Sequence, residues 1–113
     1  MTAVPAEILA AEADGEASTA IAARVQAATD LQLQRQGKRN QSLTTREIDQ
    51  LCKPDKAGKA QLKLGMEQFH WSGRAYHRIL RVARTVADLD GSTGILENHI
   101  MEAIQYRRAL RDR

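Results

Sequence analysis

Residues 73–89, GRAYHRILRVARTVADL, divide into two opposed arcs when wound at about 100° per residue. Ala75, Ile79, Val82, Ala83, Val86 and Leu89 fall on one side, joined by Tyr76, Leu80 and Ala87. Arg74, His77, Arg78, Arg81, Arg84, Thr85 and Asp88 fill the other side without an apolar intruder. A helix divided in this way has to bury one side against neighbours and leaves the other as a polar face. Gly91 stands just past the pattern, where a helix stop in the left-handed conformation is expected.

The remaining segments give the same period. The 113 residues include only one Phe, one Trp and two Tyr, so a core has to be built from Ala, Leu, Ile and Val. That balance favours helices over sheets, which draw more on aromatic and β-branched side chains. Ser18 or Thr19 caps a first helix with Ile21, Val25, Ala28 and Gln32 on one stripe, Ala22 and Leu33 alongside, and Gly37 as its stop. KRNQSL reads as a polar loop. Thr44 and Glu47 have the spacing of a capping box for a short helix that buries Ile48, Leu51 and Cys52 and ends before Pro54. A further helix over 55–70 carries Ala60, Leu62, Leu64, Met66 and Phe69 on one broad side, with two internal glycines that argue against a straight course. The last helix, from about Leu96 to Arg108, repeats Ile100, Ala103 and Ile104. The fold class is therefore all-α, a small bundle of four to five helices over 18–113. Residues 1–17, with Pro5, Gly15 and an acidic bias, read as a poorly ordered linker.

Several function classes drop out. There is no GxxxxGK[ST] phosphate loop and no apolar strand ending in paired acids, so the chain by itself should not hydrolyse a nucleotide. His70, His77, His99 and Cys52 lack a zinc spacing, and the histidines read as structural. Cys52 is alone and reads as a small core residue. No apolar run is long enough for a membrane span and no signal peptide precedes the helices, which makes a cytoplasmic location the default expectation.

The charge is uneven. Residues 1–34 hold one basic side chain against five acids, leaving sixteen bases and nine acids for the rest, a net of +7. A basic body of this kind attracts phosphates. The arginine face of 73–89 has a bland reading as a solvated helix side with Arg84 paired to Asp88. Arg74 fits that reading poorly. It lies in the first turn after Ser72, where the helix start is already partly positive and a cation is disfavoured by about 0.3–1 kcal/mol. A guanidinium there becomes favourable when a phosphate arrives, because side chain and helix end then attract the same anion.

SGRAYHRILRVARTVADLDGS, followed by HIMEAIQYR, closely resembles the C-terminal domain of magnesium-chelatase-related AAA+ ATPases, the ComM/YifB group. VPA, RVQAA, LQRQGKRN and the LC segment upstream agree, so the likeness covers nearly the whole chain. The resemblance implies a helical lid that follows an ATPase core, with MTAVPA continuing from that core. It implies a hexameric ring, ATP with magnesium held by the core, and DNA branch migration during uptake and recombination of bacterial DNA. Ser72-Gly73-Arg74 takes the place of the family's S-x-R sensor-2 motif, which assigns Arg74 to the terminal phosphate of ATP, in its own subunit or a neighbour's. Thr29 and Leu31 stand where the family's first helix usually has two arginines, and Trp71 where a smaller aliphatic residue is common. Trp71 is expected to act as a hydrophobic staple on the helix it precedes. Two other readings stay open. One is a nucleic-acid-binding module using Arg78, Arg81, Arg84, Lys38 and Arg39, and the other a ring-assembly surface with no ligand of its own.

Overall fold

A computed structural model describes residues 19–111, with side chains described up to residue 108. The proposed linker at 1–17 lies outside the described residues. The elements in order are α1 (Thr19–Gln36), a 3-10 turn (Asn40–Ser42), α2 (Thr45–Leu51), α3 (Lys56–Phe69), α4 (Gly73–Leu89) and α5 (Glu97–Arg111). The five helices fall where the periodicity predicts them, and the 3-10 turn lies within the segment expected as a loop.

The helix ends follow local rules. Gly37 and Gly91 both adopt positive φ, +74° and +72°, conformations that cost an L side chain about 1–2 kcal/mol. Gly91 completes a Schellman stop, with Ser92 N–H donating to Ala87 O at 2.8 Å and Gly91 N–H to Asp88 O at 3.1 Å. The capping box on α2 is complete. Thr44 Oγ1 accepts from Glu47 N–H at 3.2 Å and Glu47 Oε1 accepts from Thr44 N–H at 2.9 Å. These bonds, with Lys38 alongside, hold the Glu47 carboxyl below its usual range. At α5 a histidine fills the same role. His99 Nδ1 accepts from Leu96 N–H at 2.9 Å, so the ring proton sits on Nε2 and is donated to Asp90 Oδ2 at 3.0 Å.

α4 lies at the centre, packed against α5, α1, α2 and the 3-10 turn, while α3 rests on α5. Ile79, Leu80, Ala83 and Ala87 of α4 join Ile48, Cys52, Leu62, Ile95, Ile100 and Ala103 in the main core. Ala28 and Leu89 form a second small cluster under α1, flanked by Ile21 and Val25. Leu33 and Leu51, expected on buried stripes, are exposed instead, because their helices present narrower apolar faces than the sequence pattern allows for. α3 runs unbroken through both glycines. Its buried stripe is Gly58, Leu62 and Gly65, at i, i+4 and i+7. The glycines are close-approach points: a Cβ on Gly58 would lie 2.9 Å from Pro54 Cβ, and one on Gly65 would lie 2.3 Å from Trp71 Cη2.

Burial pushes the Cys52 thiol up to about 11. We therefore expect Cys52 to react slowly with a thiol reagent at neutral pH in the folded chain and rapidly once urea unfolds it. The folded pKa exceeds the unfolded value, so this group contributes stability that is fully present below about pH 9 and is lost as pH rises toward 11. Fast labelling of the native chain contradicts this burial.

Candidate functional site

The first turn of α4 is set by Ser72, whose hydroxyl accepts from Ala75 N–H at 3.2 Å. That fixes Gly73 as the first helical residue and Arg74 as the second. Arg74 is exposed and makes no hydrogen bond or ion pair with another described residue; the same holds for Arg78. Both line a groove of about 550 Å³ between α4 and α2, with Arg81 and His77 on the same wall and Leu43, Thr45 and Ile48 facing them.

His77 braces that wall. Its Nδ1 lies 2.9 Å from Gly73 O and its Nε2 lies 2.9 Å from Asp49 Oδ1 on α2. The pair ties the start of α4 to α2, at the modest strength of a surface contact.

Lower on the same face the structure departs from the sequence reading. Arg84 and Asp88 are not solvated; each is only 3% exposed. α4 is covered on this side by α1 and by the turn after α4, so its polar arc is open in its first half and closed in its second. Asp88 is the hub. Arg35 grips it with two bonds, Nη1 to Oδ1 at 2.8 Å and Nη2 to Oδ2 at 3.1 Å. Arg84 Nε donates to Oδ1 at 3.2 Å and Asn40 Nδ2 to Oδ2 at 3.0 Å. Arg84 also donates to the Ser92 and Thr93 carbonyls at 3.0 and 3.3 Å. Burial pulls the Arg84 guanidinium below its ordinary value, and the Asp88 charge opposes that pull. KRNQSL is likewise no simple polar loop: Asn40 is buried in the 3-10 turn, and its N–H donates to Gln32 Oε1 at 2.9 Å. Arg84 is therefore removed from the basic surface proposed from sequence.

Lys38 is also engaged, 3.0 Å from Glu47. Arg39 lines a depression of about 380 Å³ between α1, the 3-10 turn and α4, together with Asn40, Gln41, Thr85 and Tyr106. A smaller recess of about 220 Å³ shares Gln41, Thr85 and Tyr106 with that depression, and Arg78 and Arg81 with the groove. Of the five proposed basic surface residues, the structure brings Arg78, Arg81 and Arg39 onto one continuous face. Sequence reasoning missed Tyr106, which lies on another helix and carries no pattern that distinguishes it. Among the described residues no cluster of three His, Cys, Asp or Glu is placed to hold a metal, and no helix is long and apolar enough to cross a membrane.

Fold and site together define a small all-α module that offers an arginine-lined groove at the start of its central helix. Residues 15–107 match the family described as magnesium chelatase, subunit ChlI C-terminal, and the chain belongs to that family. It is 38% identical over 97 residues to competence protein ComM of Haemophilus influenzae, covering 86% of this chain and 19% of the relative. It is 41% identical over 93 residues to YifB of Escherichia coli, covering 82% of this chain and 18% of the relative. The chain thus spans less than a fifth of the length of these relatives. No solved structure matches it.

Proposed function

We propose that this domain is the nucleotide-responsive lid of a magnesium-chelatase-like AAA+ ATPase, with Arg74 as the sensor-2 arginine for the terminal phosphate of ATP. The observation that carries the reading is the state of Arg74. It is a permanent cation in the first turn of the central helix, exposed and without a hydrogen-bond or ion-pair partner among the described residues. The described side chains lining its groove include three arginines, a donor set suited to phosphate oxygens. Residues 1–17 serve as the link to an upstream core, which supplies the phosphate loop and the magnesium ligands. Arg74 gains a contact when the terminal phosphate is intact and loses it after hydrolysis, and this difference biases the lid between two positions. The assembly is a hexameric cytoplasmic ring that works in DNA branch migration, a setting in keeping with the word competence in one relative's name.

The test is Arg74→Ala in the full-length protein. ATP turnover is expected to fall at least tenfold, the scale of losing one charge-stabilising donor. The same change in the present chain should leave helical signal and melting temperature unaltered, because Arg74 holds no partner among the described residues. Unchanged turnover removes Arg74 from the mechanism.

A further inference from the structure

The groove at Arg74 does not end where α4 turns inward. Arg78 and Arg81 line both the groove and the smaller recess beyond, and Gln41, Thr85 and Tyr106 then carry the surface on to the depression at Arg39. From Arg74 to Thr85 the path follows about 16 Å of helix axis at 1.5 Å per residue. Among the described residues that line the three hollows there is no Asp or Glu, and the Asp49 carboxylate beside the groove wall is held by His77. The arginines give this run of hollows a net attraction for anions. Arg81 is steadied at the junction by a long bond from Nη1 to Gln41 O, 3.4 Å. Tyr106 is half-buried beside it.

We infer that this trough binds a single strand of nucleic acid, with Arg78 and Arg81 on successive phosphates and Tyr106 as the surface on which an unpaired base stacks. Guanidinium groups about one turn apart suit a chain of regularly spaced phosphates. An aromatic ring among them adds what a bare polyanion does not require, and a base inside a duplex has no free face to offer it. This narrows the nucleic-acid-binding reading that the sequence left open. Arg84 is interior and Lys38 is paired with Glu47, so the proposed contacts are Arg78 and Arg81 with Tyr106 beside them, and not a flat basic surface. The inference does not rest on Arg74 meeting ATP, and its failure leaves the turnover test above untouched.

The experiment is fluorescence anisotropy of a labelled oligothymidylate of about 12 nucleotides, titrated with this chain between about 50 and 200 mM salt. Binding should weaken steeply with salt. Arg78→Ala should lower affinity and reduce the log–log salt slope by about 0.7, the value for one phosphate of a single strand. Tyr106→Leu should weaken binding roughly tenfold while leaving the slope unchanged, and Tyr106→Phe, which keeps the ring, should bind as the parent does. Four results would each overturn the inference: no binding at low salt, equal affinity for a duplex of the same length, equal competition by polyglutamate, or a Tyr106→Leu variant that binds as the parent does.

Discussion

Replacing Asp88 with alanine is expected to destabilise the domain by about 3–5 kcal/mol, the cost of stranding a buried cation by removing its partner. Asp88 accepts from Arg35, Arg84 and Asn40, and its side chain is almost wholly enclosed. Without it, the Arg84 guanidinium stays buried with only the Ser92 and Thr93 carbonyls as acceptors. Two carbonyl dipoles do not replace a charge in that environment. Arg35 and Asn40 lose the group that holds α1 and the 3-10 turn against α4. For a domain of ordinary stability, about 5–15 kcal/mol, such a loss consumes a large fraction of the total and lowers the melting temperature by on the order of 15 °C. Asp49→Ala, which breaks the exposed pair with His77, should cost less than about 1 kcal/mol and serves as the control. Urea denaturation of both variants decides the matter. A change below about 1 kcal/mol for Asp88→Ala means that the network does not hold the lower half of α4 in place.

That network also marks the boundary of what was legible in the sequence. The features read correctly are local ones: the α4 stripe, the Thr44–Glu47 capping box, and the stops at Gly37 and Gly91. Each depends on neighbours within about one or two helical turns, and periodicity and cap chemistry report such neighbours directly. Arg84 and Asp88 were placed on the correct arc of the helix but given the wrong surroundings. Periodicity fixes the direction in which a side chain leaves the helix and says nothing about what lies over it. Their cover comes from Arg35 and Asn40, which are 53 and 48 residues from Asp88 in sequence. The site divides in the same way. Arg74 is identifiable because it breaks a local rule at the helix start. Tyr106 becomes part of the same trough only through the packing of α5 on α4, and no spacing within either helix encodes that.

The second large effect lies at the junction of α3 and α4, where Trp71→Ala is expected to cost about 3–5 kcal/mol. The indole is largely buried and stacks on Phe69, with ring centroids 5.7 Å apart and planes inclined by 20°. Its six-membered ring lies directly over Gly65 of α3, the helix it follows, and it shares the main core with Ala75 and Ile79 of α4. A glycine inside a helix is about 1 kcal/mol less favourable than alanine, and here the lost side chain is what makes room for the ring. The chain between the two helices turns through His70, which adopts the left-handed conformation at φ 52°. Gly65→Ala should therefore destabilise by about 1–3 kcal/mol despite alanine's better helix propensity. The two positions should also be coupled. In a Trp71→Leu background the smaller side chain frees the space over residue 65, and Gly65→Ala should become neutral or stabilising. A double-mutant cycle measured by urea denaturation should thus give a coupling above about 1 kcal/mol, and additivity within about 0.5 kcal/mol would mean that the two residues do not share this space. Because Trp71 immediately precedes the cap at Ser72, its seat on α3 also sets where α4 begins, and with it the point from which Arg74 projects.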